Sequence, residues 1–153
     1  MEIGPATLEN IDWLADHDEH VGRDWIRRCI LSNEYLVARR NGTIVGFLRF
    51  SRFWGTIPYM DMICVLAEHR RSGVGSQLFL AWEAGMAAEG ARLLMTSSEL
   101  GEIEPQAWHR RNGFREAGRI EFFGFQPSPE VFFIKDIGSL RPRLRSAAEI
   151  RAE

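Results

Sequence analysis

Apolar positions along this chain change their period several times, and each change marks the border of an element. Between residues 8 and 30, "LENIDWLADHDEHVGRDWIRRCI" sets Ile11, Leu14 and Ala15 on one helical face and Trp25, Ile26, Cys29 and Ile30 on another. The pattern breaks near Gly22, so two helices are expected. The next stretch, "EYLVARRNGTIVGFLRFS", places Asn41-Gly42 between two β-prone runs. That dipeptide is the strong signal for a two-residue hairpin, because both turn positions need positive φ. "YMDMICVL" after Pro58 reads as a third strand. From Gly75 onward, Leu78, Phe79, Trp82 and Met86 recur at helical spacing until Gly90, a suitable residue to end a helix. "ARLLMTSS" reads as a strand, Pro105 to Asn112 as a short helix started by proline and stopped by Gly113, and "REAGRIEFF" and "EVFFIKDI" as closing strands. The predicted order is ααβββαβαββ, with room for a short strand at the very start.

Composition narrows what such a chain can do. At 153 residues it is long enough for one domain with one core. Apolar residues make up 45% and charged residues 26%, ordinary globular usage that argues against disorder or a coiled coil. A net charge of -2 gives no general electrostatic reason to bind nucleic acid. No apolar run approaches the roughly 18 residues of a membrane span, and the first ten residues lack a secretory pattern, so no membrane role and a cytoplasmic location are expected. Cys29 and Cys64 stand far apart with no CxxC or metal-like spacing, so buried reduced thiols are expected and no metal site. The acidic, histidine-rich "DHDEH" at 16–20 reads as a solvated helix face, or as a lip of a substrate site. The segment 139–153 is polar and basic and reads as a tail to a domain spanning 1–138.

The stretch "EHRRSGVGSQ" at 68–77 is the turn from the third strand into the long helix. Glycines without a Cβ let backbone N–H groups approach a ligand closely, and a helix start has unpartnered N–H donors with partial positive charge, so a phosphate is the natural guest. A Walker loop is missing, and the dinucleotide fingerprint fails because Leu78 stands where its third glycine belongs. What fits is Arg70-x-x-Gly73-x-Gly75, and the block Val65-Leu66-Ala67-Glu68-His69-Arg70-Arg71-Ser72-Gly73-Val74-Gly75 resembles the GNAT superfamily of acyl-CoA-dependent N-acetyltransferases. A second block, Glu104-Pro105-Gln106-Ala107-Trp108-His109-Arg110-Arg111-Asn112-Gly113-Phe114, is similar to the family's Asn-x-x-Ala-x-Tyr-x-x-x-Gly-Phe, but carries Glu104 for the Asn and His109 for the Tyr.

The resemblance covers residues 1 to 138 and implies a single α/β (α+β) domain. Its mixed, mostly antiparallel sheet would splay between the strands at 59–66 and 91–98, flanked by about four helices. Acetyl-CoA is implied as acyl donor, with transfer to a primary amine through a tetrahedral intermediate. The turn at Arg70, Arg71, Ser72, Gly73, Val74, Gly75 and Ser76 would hold its pyrophosphate, and the backbone at Ile63, Cys64 and Val65 its pantetheine and thioester carbonyl. An alkyl ammonium has a pKa near ~10, so a base must take its proton. Asp61 beside the expected gap and Glu104 at the second block are the candidates; each has a plain alternative, a turn hydrogen-bonder for Asp61 and helix N-terminal charge for Glu104. His109 would act as general acid toward the leaving thiolate, or simply pack. Trp25, Phe53, Trp54 and Phe123, with Phe50, Tyr59, Phe122 and Phe125, are candidate pocket walls that serve a core equally well. The acceptor is a small-molecule or peptide amine; a homodimer is suggested by the resemblance alone. A non-catalytic acyl-CoA-binding module, favoured by the lost Tyr and Asn, and a chain using the fold for interaction stay open alternatives.

Overall fold

A computed structural model describes residues 1–138; the basic segment 139–153 lies outside the described residues. Thirteen elements follow in the order β1 (Glu2–Pro5), a 3-10 turn, α1 (Ile11–His17), α2 (Arg23–Leu31), β2 (Tyr35–Arg40), β3 (Thr43–Phe53), β4 (Ile57–Val65), a second 3-10 turn, α3 (Val74–Ala88), β5 (Leu93–Glu99), α4 (Ile103–Arg111), β6 (Arg115–Ile120) and β7 (Glu130–Asp136). The short first strand is present. The last helix starts two residues earlier than the proline suggests, which costs nothing because N–H groups of a first turn have no intrahelical partner. β6 ends at Ile120, so "EFF" belongs to a loop.

Punctuation residues act as their chemistry requires. Asn41 and Gly42 both have positive φ, 52° and 79°, and close the β2–β3 hairpin. Gly90 (φ 92°) ends α3: its N–H bonds to the Ala87 carbonyl and that of Ala91 to Met86, the paired closure of a Schellman turn. Gly113 ends α4 in the same way, tying Phe114 N–H to the carbonyl of His109.

The seven strands form one sheet in the order β1-β2-β3-β4-β5-β7-β6, antiparallel throughout except for the parallel pair β4–β5. Alternating strand residues feed two cores. Tyr35, Val37 and Phe47 face α1 and α2 with Leu14, Ile26 and Ile30, whereas Ala38, Val45 and Leu48 face α3 with Leu78, Phe79 and Trp82. Trp82 and Leu78 have no exposed surface, and each side chain of this size contributes about 1.5–3 kcal/mol by leaving water.

Two irregularities shape the middle of the sheet. Met60 pairs with Phe50 and Met62 with the adjacent Arg49, so Asp61 has no partner on β3 and forms a β-bulge. Beyond it β4 parts from β5: only Tyr59–Met95 and Met60–Thr96 are in register, and residues 61–65 have β3 alone as neighbour. The sheet therefore splays where the resemblance implied it would. The second irregularity is Gly46, where a Cβ would lie 2.7 Å from the Cys64 carbonyl oxygen and 3.4 Å from Leu78 Cδ1. Since the obstructing atom is backbone, Gly46→Ala should cost about 1–3 kcal/mol, read as a lowered urea midpoint; an unchanged midpoint would mean that β3 and β4 can move apart freely.

Candidate active site

The chain from Val65 to Ser76 builds a cradle out of backbone. After β4, Leu66 N–H bonds back to Val45, the 3-10 turn Ala67–His69 reverses the chain, and Arg71 (φ 58°) and Gly73 (φ 83°) aim it into α3. Gly73 is the N-cap of α3, and the first intrahelical bond runs from Gln77 N–H to its carbonyl. The N–H groups of Val74, Gly75 and Ser76 are thus left without helical partners at the positive end of a 15-residue helix. They face a cleft of about 550 Å³ lined by Val65, His69, Arg70, Arg71, Gly73, Val74, Gly75, Ser76, Trp108, Arg111 and Asn112.

Among the described residues, no carboxylate pairs with Arg70, Arg71 or Arg111, so the cleft presents uncompensated positive charge. Arg70 is steadied by donating from Nε to the Val65 carbonyl at 3.1 Å. Ser72, expected to contact phosphate, instead donates its hydroxyl to the His69 carbonyl at 2.6 Å and stabilises the turn. Its Oγ also accepts from Arg40 at 3.4 Å. Sequence reasoning missed the α4 wall, Trp108, Arg111 and Asn112. The signal was available, since Arg111 and Asn112 directly precede Gly113, whose Schellman turn fixes the end of α4.

Asp61 stands at the root of the splay. Ser51 Oγ donates to its Oδ1 at 3.1 Å, and Arg49 approaches Oδ2 only to 3.9 Å. Burial pushes this carboxyl up to about 6, against the smaller opposing effects of the Ser51 hydrogen bond and Arg49. Two residues before the bulge, the Tyr59 hydroxyl is hydrogen-bonded to Ser97 Oγ, which in turn donates to Glu130 Oε1 at 2.6 Å. Burial pushes the Tyr59 phenol up to about 12. Ile63 and Cys64 lie on the unpaired stretch of β4, half-buried, and Val65 leads from it into the cleft.

The remaining candidate residues lie in varied surroundings. His109 is 5% exposed and packs against Phe133, Trp108 and Phe114, with ring centroids 5.3, 5.7 and 6.0 Å away. Its Nδ1 is buried without a hydrogen-bond partner, and burial drives the imidazole down to about 4. A general acid must carry its proton at working pH, and burial opposes the protonated form of this ring. Glu104 is exposed in the first turn of α4 without an ion pair or hydrogen bond among the described residues, which fits helix N-terminal charge better than a proton acceptor. "DHDEH" is not a solvated face throughout: Asp18 ends α1 fully buried, and His17 stacks on Trp13 with its Nδ1 2.7 Å from the Trp13 carbonyl. No cluster among the described residues could hold a metal, and no described helix is long and apolar enough to cross a membrane. Cys29 is buried and Cys64 half-buried, both unpaired. The candidate wall aromatics do not converge by ring contact. Trp25 lies under the Arg28 guanidinium on α2, Phe53 at the end of β3 and Trp54 in the turn after it lie tilted against each other, and Phe123 is 90% exposed in the β6–β7 loop.

A sheet parted beside a glycine turn, with an arginine-lined cleft at the start of α3, is the architecture of an acyl-CoA-using transferase. The family model "Acetyltransferase (GNAT) domain" matches residues 32–116. The chain belongs to the GNAT acetyltransferase family, whose reaction is N-acetyl transfer from acetyl-CoA. It is 29% identical over 105 residues to an aminoglycoside N(6′)-acetyltransferase type 1 of Stenotrophomonas maltophilia, covering 63% of this chain and 69% of that one. Its fold is similar to that of Ard1 from Thermoplasma volcanium, with a TM-score of 0.79, 17% identity and coverage of 90% and 97% of the two chains. A GNAT family acetyltransferase from Elizabethkingia anophelis, solved with acetyl-CoA bound, matches with a TM-score of 0.70, 16% identity and coverage of 89% and 97%.

Two outcomes follow from this geometry. A Cβ at Gly75 meets only Val65 Cγ2 at 3.7 Å, so Gly75→Glu should fold normally, while its carboxylate opposes an anion in the cleft. Isothermal titration should show acetyl-CoA affinity falling at least about 100-fold, and wild-type affinity in the variant would remove the cradle from consideration. For His109, the unfolded chain takes up a proton near ~6.5 and the folded one only near 4, so its neutral form loses stability as pH falls through that window. His109→Leu should recover about 2 kcal/mol of the loss between pH 7 and 5, measured as the difference in urea unfolding between the two proteins; an identical pH dependence would contradict a buried neutral ring.

Proposed function

We propose that this chain acetylates a primary amine of a small cationic acceptor of the aminoglycoside type, with Asp61 taking the ammonium proton. Acetyl-CoA supplies the activated acyl group. Its pyrophosphate fits the N–H groups of Gly73, Val74, Gly75 and Ser76, flanked by Arg70, Arg71 and Arg111, as the dimensions and charge of the cleft suggest. The unpaired edge of β4 at Ile63, Cys64 and Val65 offers the backbone groups that an extended pantetheine amide chain needs, since β5 does not use them.

The observation that carries the reading is the placement of Asp61. Its bulge sits immediately after the last β4–β5 pair, so the carboxylate opens at the point where the splay begins. Its raised pKa, about 6, matches the work of a base near neutral pH: deprotonated at working pH, yet basic enough to accept a proton. Asp61 and Glu130 both raise the Tyr59 phenol by their charge, so the acceptor end of the splay carries negative charge. That charge attracts a cationic amine while the cleft at the other end attracts an anionic donor. A thiolate is a far weaker base than an alkyl amine, so it can depart without a protein acid, consistent with His109 being neutral.

The test is thiol release from acetyl-CoA with an aminoglycoside such as kanamycin, compared with a peptide carrying a free N-terminus. Turnover with kanamycin, kcat/KM rising with pH through about 6 and a loss of about 100- to 10,000-fold in Asp61→Asn support the proposal. Exclusive use of the peptide would reject the acceptor class, and an Asp61→Asn enzyme with normal rate and pH profile would reject the base.

A further inference from the structure

The acetyl-transfer site makes no use of the carboxylate that ends α1, yet that carboxylate is among the most buried charges in the chain. Asp18 has no exposed side-chain surface. Arg49 of β3, 7% exposed, donates to it twice, from Nε at 2.7 Å and from a terminal nitrogen at 3.4 Å. Tyr35 of β2 adds a third bond, from its hydroxyl to Oδ2 at 2.5 Å. The other terminal nitrogen of the same guanidinium is the group that stands 3.9 Å from Asp61 Oδ2. Arg49 thus lies between two carboxylates and is committed to one of them.

We propose that Asp18 is a positioning residue for Asp61: by holding and neutralising Arg49, it denies that guanidinium to Asp61 and keeps the bulged carboxylate available as a proton acceptor. The inference rests on reading Asp61 as the base. A guanidinium is always charged, and beside an unpaired one a carboxylate commonly drops by one to three pKa units, roughly, leaving it too weak a base. Countered by Asp18 at hydrogen-bond distance, Arg49 reaches Asp61 as one half of a neutral pair. Every other charged or titratable group around Asp61 is also accounted for. Glu34, before β2, is partly engaged by Arg52 at 3.7 Å and raises Asp61, as Asp18 also does. Cys29 of α2 is held protonated by burial, with its thiol pushed up to about 11, and Tyr59 of β4 is a neutral phenol. Ser51 of β3 contributes a hydrogen bond without charge.

The experiment is the pH dependence of kcat/KM for the full chain with saturating acetyl-CoA. Asp18→Asn keeps the shape of the side chain and leaves Arg49 uncompensated, so the acid midpoint near 6 should fall by about one unit or more. The double variant Asp18→Asn/Arg49→Gln removes both charges together and should return the midpoint to within about 0.3 units of wild type, whatever the rate. A merely structural role for Asp18 would lower the rate in both variants without moving the midpoint, and that result overturns the proposal. Should Asp18→Asn alone fail to fold by circular dichroism, the double variant is read beside Arg49→Gln: an unmoved midpoint in the double variant with a rise of about one unit in Arg49→Gln supports cancellation, whereas an unmoved midpoint in both, or a rise of about one unit in the double variant, overturns the proposal. Failure of the base itself reads differently, because Asp61→Asn would then keep an acid midpoint near 6.

Discussion

Parallel pairing between β4 and β5 stops after two residue pairs, and the active site depends on the ladder that is not made. Backbone N–H and C=O groups in a sheet interior need partners, so a strand edge exposed inside the fold is expensive unless water or a ligand completes it. The Asp61 bulge brings this about within a single residue. It keeps β3 and β4 joined on one side while turning the other side of β4 away from its parallel neighbour. The two halves are held together beneath the gap by α3, whose Phe79 and Trp82 share one core with Leu94 of β5 and Phe133 of β7 and whose Glu83 pairs with Lys135 of β7.

Charge is distributed along that gap with opposite signs at its ends. Arginines and unpartnered helix N–H groups gather where α3 begins, and carboxylates gather around the bulge. Neither end relies on a metal-like cluster. Opposite charge at the two ends draws oppositely charged groups toward one opening from different sides.

How much of this could be read without coordinates depended on how local the physics was. Asn41-Gly42, Gly90 and Gly113 were legible because a positive φ is a property of one or two residues. The glycine turn into α3 was legible for the same reason, with family resemblance supplying the splay. Asp61 was named as a candidate, but its bulge was not foreseen, since a bulge is defined by register against Arg49 and Phe50 some ten residues away. Asp18 was misjudged because its neighbours His17, Glu19 and His20 are polar; its burial comes from Arg49 and Tyr35, which approach only once the sheet exists. His109 occupies an aligned position but takes its properties from Phe133 and Phe114, neighbours that an aligned block cannot weigh.

The buried Asp18–Arg49 pair also bears on how this enzyme could change over generations. Charged pairs sealed from water often contribute less stability than apolar side chains of the same volume, because desolvation offsets much of their attraction. A lineage selected only for robustness would therefore drift toward leucine or methionine at both positions, one step at a time through an intermediate with a single stranded charge. That intermediate is the least stable state on the path, so exchanging the pair means crossing a stability barrier, one that the chemistry beside it shares.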